Sequence, residues 1–197
     1  FKLVHLKSYV AYLLLGAGLY FLSYDIIAIQ AVHLYLILSC FVCLFLFKDL
    51  LWTKKIPMFE KKKYITTIFY IISGFVFLTL IPFSEGYFMP EIIVGIFTLI
   101  WANDTFAYIV GKSIGKHKLY ERISPKKTIE GFLGGVVGAL IAGFVVFKLT
   151  GIYNLYIWFI LALIGSIFGT IGDLIQSKFK RQAGVKDSGM LMPGHGG

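Results

Sequence analysis

Apolar residues gather into six long runs, at about residues 8–29, 33–51, 64–83, 91–111, 131–149 and 153–176, separated by short polar connections. Each run comes close to the roughly 20 residues that a helix needs to cross a hydrocarbon core. The pattern predicts an all-α, polytopic integral membrane protein with about six transmembrane helices. The first run is too long, and lacks the small-residue cleavage site, for a secretory signal. The stretch from Phe83 to Pro90 carries no basic residue and ends in a Pro that stops helix, which predicts a plain short loop between the third and fourth spans.

Composition agrees with the pattern. Of the 197 residues, 58% are hydrophobic, and the mean hydropathy of +0.81 excludes an ordinary soluble domain. The chain starts at Phe1 and stops at Gly196-Gly197, so it is expected to be part of a longer one. Cys40 and Cys43 have C-x-x-C spacing but no second pair and an apolar setting, which makes them packing residues.

Net charge is +9, a value that in a soluble chain would suggest nucleic acid. Distribution argues otherwise. All but Lys148 of the 19 Lys and Arg residues lie before the first span, between the second and third, between the fourth and fifth, or after the sixth. Positive charge stays on the cytoplasmic side, so both ends are expected there and no nucleic-acid partner is implied. The basic run at residues 54–63 reads as topogenic or as a lipid-headgroup contact. Tyr64, Tyr153, Tyr156 and Trp158 suit an interfacial belt.

Small residues at four-residue spacing, Gly131, Gly134, Gly135, Gly138, Ala139 and Gly143, let the fifth span approach a neighbour closely. Gly165 and Gly169 on the sixth span are expected to pack the same way.

Ionisable residues inside spans point to function by default. Asp104 lies in Trp101-Ala102-Asn103-Asp104, seven residues before Gly111 and so roughly 10 Å inside the membrane edge. Asp173 approaches the same face from the sixth span. Asp104, Tyr108 and Gly111 share one helical stripe, as do Asp173, Gln176, Ser177 and Lys180. Two partly buried carboxylates without a Cys or His cluster suit Mg2+; the alternative is an ion pair with a nearby Lys that holds helices together.

The connection from Gly111 to Gly131 begins GKSIGKH, which fails the Walker A spacing, and continues into Ser124-Pro125-Lys126-Lys127-Thr128-Ile129-Glu130-Gly131. Pro125 fixes a turn, two lysines stand beside two hydroxyls, and a helix N-terminus follows, an arrangement suited to polyphosphate. Ser124 or Thr128 as a plain helix cap is the competing reading. Beyond the sixth span comes SKFKRQAGVKDSGMLMPGHGG, with Lys178, Lys180, Arg181, Lys186, Asp187 and His195. Carboxylates, lysines, hydroxyls and a helix start together suit phosphoryl or nucleotidyl transfer.

In order and spacing, WANDTFAY, SPKKTIEG and Gly172-Asp173-Leu174 leading into the final block resemble the phosphatidate cytidylyltransferases, or CDP-diacylglycerol synthases, over residues 101–197. The resemblance implies an enzyme that condenses CTP with phosphatidic acid, with Mg2+ and room for a second, monovalent or divalent, cation. It implies Asp173, Asp187 and Asp104 as metal ligands, and catalytic roles for Asp173, Asp187, Lys186 and Arg181. Ser124, Lys126, Lys127, Thr128, Asn103, Asp104, Ser177, Lys180 and His195 are implied on the substrates, and Lys178 in neutralising phosphate. Residues 1–100 then form N-terminal membrane helices and 101–197 the catalytic region. The family pattern continues past Gly197 into an Asp-Arg-x-Asp element. The expected setting is a bacterial inner membrane, with the site facing the cytoplasm, membrane lipid around it and a homodimer compatible with it. A transporter of an anionic metabolite is the alternative, and a CDP-alcohol phosphotransferase would need four compactly placed aspartates that are not found.

Overall fold

In lipid every backbone N–H and C=O needs a partner within its own segment, and the apolar runs meet that demand as helices. The computed structural model describes residues 6–24, 29–58, 62–84 and 87–185. Helix α1 covers Leu6–Tyr24 and α2 covers Ile29–Trp52. Helix α3, Lys63–Leu80, changes to π-helical turns over Thr67–Ile72. A two-stranded hairpin of β1 (Phe83–Ser84) and β2 (Tyr87–Phe88) leads into α4, Pro90–Ile114. A second hairpin, β3 (Lys118–Tyr120) with β4 (Ser124–Thr128), precedes α5 (Ile129–Thr150) and α6 (Leu155–Gln182). Helices α2 to α6 are long and apolar enough to cross a membrane, and α1 adds a shorter apolar stretch, Val10–Leu19. The chain is therefore an all-α polytopic membrane protein.

Local chemistry sets the ends. Pro90 occupies the first turn of α4, where its missing N–H costs nothing. Thr128 caps α5, its Oγ1 accepting from Gly131 N at 3.1 Å. Gly151, with φ at 63°, closes α5 in the left-handed conformation. Two expectations about where elements begin and end change. The stretch before Pro90 pairs as a hairpin, with the Phe83 and Phe88 rings 5.3 Å apart, instead of forming a plain loop. Helix α6 runs on to Gln182, past the expected end at residue 176, so Lys178 and Arg181 are helical rather than part of a tail, along with Ser177 and Lys180 of the polar stripe.

The chain forms two compact units, Phe1–Ile81 with Lys178–Gly197, and Pro82–Ser177. In the first, Tyr35 Oη donates to Ile68 O at 2.7 Å inside the π-helical stretch. Lys178, only 5% exposed, donates to Asp49 O at 2.5 Å, Leu50 O at 3.2 Å and Thr53 O at 2.7 Å. Four residues on, the Gln182 amide accepts from Ile56 N at 2.8 Å and donates to Ile56 O at 3.1 Å. These two side chains, one turn apart on the same helix face, satisfy carbonyls at the C-terminus of α2 and the backbone just beyond it. Lys178 was expected on phosphate; its ammonium is instead committed to helix carbonyls.

The second unit depends on the close approach of α4 and α5. A methyl group at Gly138 would fall 2.5 Å from the Phe106 ring, and one at Gly135 would fall 2.8 Å from Asn103 Oδ1 and 2.9 Å from Asn103 O. Even alanine at Gly135 would force the helices apart, at about 1–3 kcal/mol. Gly165 and Gly169 differ: a methyl at either meets no atom within 4 Å, so these glycines do not make the expected packing contact. Trp158 also departs from expectation. It is fully buried with Leu99, Ala139, Val146 and Ala162, and its Nε1 donates to Ile152 O at 2.7 Å, whereas Tyr64 and Tyr156 are exposed as a belt requires. Gly95 makes room, since a methyl there would sit 2.4 Å from the indole.

Candidate active site

Strand β4 carries the SPKKT segment, and its pairing with β3 sets Lys118 opposite Thr128 and Tyr120 opposite Ser124. Pro125 thus lies in a short strand rather than a turn. Glu130, on the first turn of α5, accepts from the backbone N–H groups of Lys116 and His117 at 3.1 and 3.2 Å, and pairs with His117 Nδ1 at 2.6 Å. Ile129 N donates to His117 O at 2.9 Å. The hairpin is therefore tied at its base to the helix whose N-terminus it covers.

Beside it lies a cavity of about 750 Å3 within the second unit. Asn103, Asp104, Tyr108 and Lys112 line it from α4, Lys118, Lys126, Lys127 and Thr128 from the hairpin, and Thr170 and Asp173 from α6. Ile100, Phe132, Gly165 and Gly169 add an apolar portion. Asp104, Tyr108 and Gly111, which share one stripe of α4, all line it. Asp104 is exposed, and the Asp173 side chain keeps 47% of its surface, so these carboxylates border an open cavity rather than being buried.

Within the cavity Lys127 Nζ meets Asp173 Oδ2 at 2.5 Å. The ion pair weighed from sequence exists, joining β4 to α6. Asn103 Nδ2 donates to Asp104 Oδ1 at 3.3 Å, while Asn103 Oδ1 is buried against Gly135 without a hydrogen-bond partner among the described residues. Thr128 is buried and serves as the α5 cap, so cap and cavity-lining positions coincide.

Other expected residues lie elsewhere. Ser124 and Ser177 belong to the same unit but do not line the cavity; Lys180 and Arg181 belong to the first unit. Lys186, Asp187 and His195 fall outside the described residues. Conversely, Lys118 and Thr170 were not singled out. The signal for Lys118 was the hairpin register, which no short motif announces. The Glu130 clasp was missed for the same reason, its partners lying 13 and 14 residues away.

Among the described residues, no group of three or more His, Cys, Asp or Glu could hold a metal ion unaided. Asp104 and Asp173 both line the cavity and are oxygen donors of the kind that Mg2+ takes, one or two carboxylates with the rest of its shell from substrate phosphates and water.

A sequence model of the cytidylyltransferase family matches residues 1–197. Over 103 residues, 51% of this chain, the sequence is 53% identical to the phosphatidate cytidylyltransferase of Staphylococcus haemolyticus strain JCSC1435 and 50% identical to that of Staphylococcus aureus strain COL, in each case spanning 39% of the relative's length. The enzyme of the same name from Staphylococcus epidermidis strain RP62A is 46% identical over 102 residues, with the same coverage, 51% of this chain and 39% of the relative. Matched from end to end, and bearing carboxylates and lysines around one cavity beside a helix N-terminus, the chain belongs to the cytidylyltransferase family.

Proposed function

We propose that this chain belongs to a phosphatidate cytidylyltransferase, which joins CTP to phosphatidic acid to give CDP-diacylglycerol and pyrophosphate. The observation that carries the reading is a cavity lined by Lys118, Lys126, Lys127 and Thr128 together with Asp104 and Asp173, with an apolar portion alongside. The names of its relatives supply the substrates.

Lys118, Lys126 and Lys127 neutralise the triphosphate, and the start of α5 adds its partial positive charge. Tyr108, Asn103 and Phe132 border the rest of the cavity. The lipid phosphate is already an anion, so no side chain needs to remove a proton. Its oxygen forms a bond to the α-phosphorus of CTP while the bond from that phosphorus to the bridging oxygen breaks, and pyrophosphate carries the electron pair away. The residues hold two anions together against their repulsion and keep them in line. Asp173 and Asp104 would hold Mg2+, with Asp187 outside the described residues; bound there, Mg2+ withdraws charge from the phosphates.

Purified full-length protein, given Mg2+, radiolabelled CTP and phosphatidate in mixed micelles, is expected to form lipid-extractable CDP-diacylglycerol. Absence of labelled lipid across a series of divalent cations would overturn the assignment. The alternation of basic connections supports a cytoplasmic position for the β3–β4 hairpin, in a bacterial inner membrane. A single cysteine at the exposed Glu121, in a background lacking Cys40 and Cys43, is expected to react with an impermeant maleimide only after the membrane is opened. Labelling of intact cells would reverse the orientation.

A further inference from the structure

The ion pair between Lys127 and Asp173 joins the two halves of the cavity. Lys127 belongs to the lysine-rich hairpin, suited to polyphosphate, and Asp173 is one of two carboxylates suited to a cation. At 2.5 Å each occupies the group that the other's ligand would need. Their side chains retain 31% and 47% of their surface, so water reaches both and the contact is exchangeable. The partners also differ in reach: Asp173 is short and fixed on α6, whereas Lys127 extends from a strand on a flexible stem.

We propose that Lys127–Asp173 is an interlock: each residue masks the other until a polyphosphate and a divalent cation arrive together. A polyphosphate alone must draw Lys127 away and leave Asp173 facing added negative charge. A divalent cation alone must take Asp173 while Lys127 remains close by as a like charge. With both present, Lys127 turns to phosphate oxygens and Asp173 is freed for the cation. The two ligands therefore assist each other beyond their direct attraction, and the assistance is reciprocal. The interlock rests on the proposed function only in that the cavity takes a polyphosphate with a divalent cation.

The test separates the ligands, using purified full-length protein, Mn2+ followed by its free-ion resonance, and inorganic tripolyphosphate in chelator. Lys127→Met is expected to bind Mn2+ alone about tenfold more tightly than the unaltered protein, because a like charge a few ångströms from a divalent ion is gone. Asp173→Asn is expected to bind tripolyphosphate without metal more tightly by a similar factor. Lys126→Met serves as a control and should strengthen Mn2+ binding less than Lys127→Met does. A pair with only a structural role would weaken both ligands and lower the thermal midpoint; unchanged or weaker Mn2+ binding by Lys127→Met overturns the interlock.

A second measurement needs no variant. Saturating Mg2+ alone should raise the rate at which Lys127 is acetylated, read by peptide mass spectrometry, and tripolyphosphate alone should lower it; no change with Mg2+ counts against the interlock. Protein that makes CDP-diacylglycerol but shows neither reciprocal gain sinks this proposal alone. Reciprocal gains without lipid product sink the assigned reaction alone.

Discussion

Asp173→Asn is expected to lower CDP-diacylglycerol formation on the order of a thousandfold, while the protein still purifies folded. Asparagine keeps the size and one oxygen but loses the charge, and a neutral amide is a poor ligand for a hard divalent ion. Folding should survive because the carboxylate is half exposed and its partner, Lys127, can be solvated. The same substitution should favour metal-free polyphosphate, so lost catalysis would accompany gained anion binding. Asp104→Asn should have a smaller effect, since Asp104 Oδ1 already accepts from Asn103 Nδ2. Initial rates with labelled CTP and thermal midpoints in the same detergent decide the matter. Asp173→Asn retaining a tenth of the activity would remove Asp173 from the chemistry.

The second large effect concerns stability. Lys178→Met is expected to destabilise the first unit by about 2–4 kcal/mol, the range for removing a buried, hydrogen-bonded charge and stranding its acceptors. Lys178 is 5% exposed, and its three carbonyl partners come from Asp49, Leu50 and Thr53. Methionine would fill the space with no donor. Arginine should not rescue it, because three carbonyls gathered around one ammonium do not suit a planar fork. Gln182→Ala, which removes the neighbouring tie to Ile56, should cost less because the two bonds of that tie are neutral. Thermal unfolding of the purified variants measures this. A Lys178→Met protein with unaltered stability and a raised KM for CTP would return Lys178 to a role on phosphate.

How far each element could be read depended on the range of the interactions that make it. Spans were legible because an apolar run of membrane length has few other solutions. Thr128 announced a helix start locally as a candidate cap, whereas Pro90, read as part of a loop, opens α4. The end of α6 was legible only in part: the stripe through Ser177 and Lys180 pointed to helix, but the contacts of Lys178 and Gln182 with Thr53 and Ile56, on the last turns, were not announced. Gly165 and Gly169 misled in the opposite way, since a small-residue spacing looks the same whether it meets a helix or an open cavity. Trp158 was placed with the interfacial aromatics because burial against Gly95 depends on the opposing helix, 63 positions earlier in the chain.

The sequence by itself determined the order of the apolar helices, the gathering of positive charge in alternate connections, and the presence of Asp104, Asp173 and SPKKT toward the ends of apolar runs. Hydropathy and charge act on each segment separately, so they are written into it. Only the tertiary structure decided which groups meet: Lys118 opposite Thr128 through hairpin register, Glu130 on the backbone of Lys116 and His117, Lys127 on Asp173, and Lys178 on the carbonyls ending α2. Those contacts depend on closing the chain over long separations, and a charged side chain takes whichever partner that closure brings within reach. The motif read as two lysines for phosphate thus proves to hold one lysine already paired with the carboxylate across the cavity.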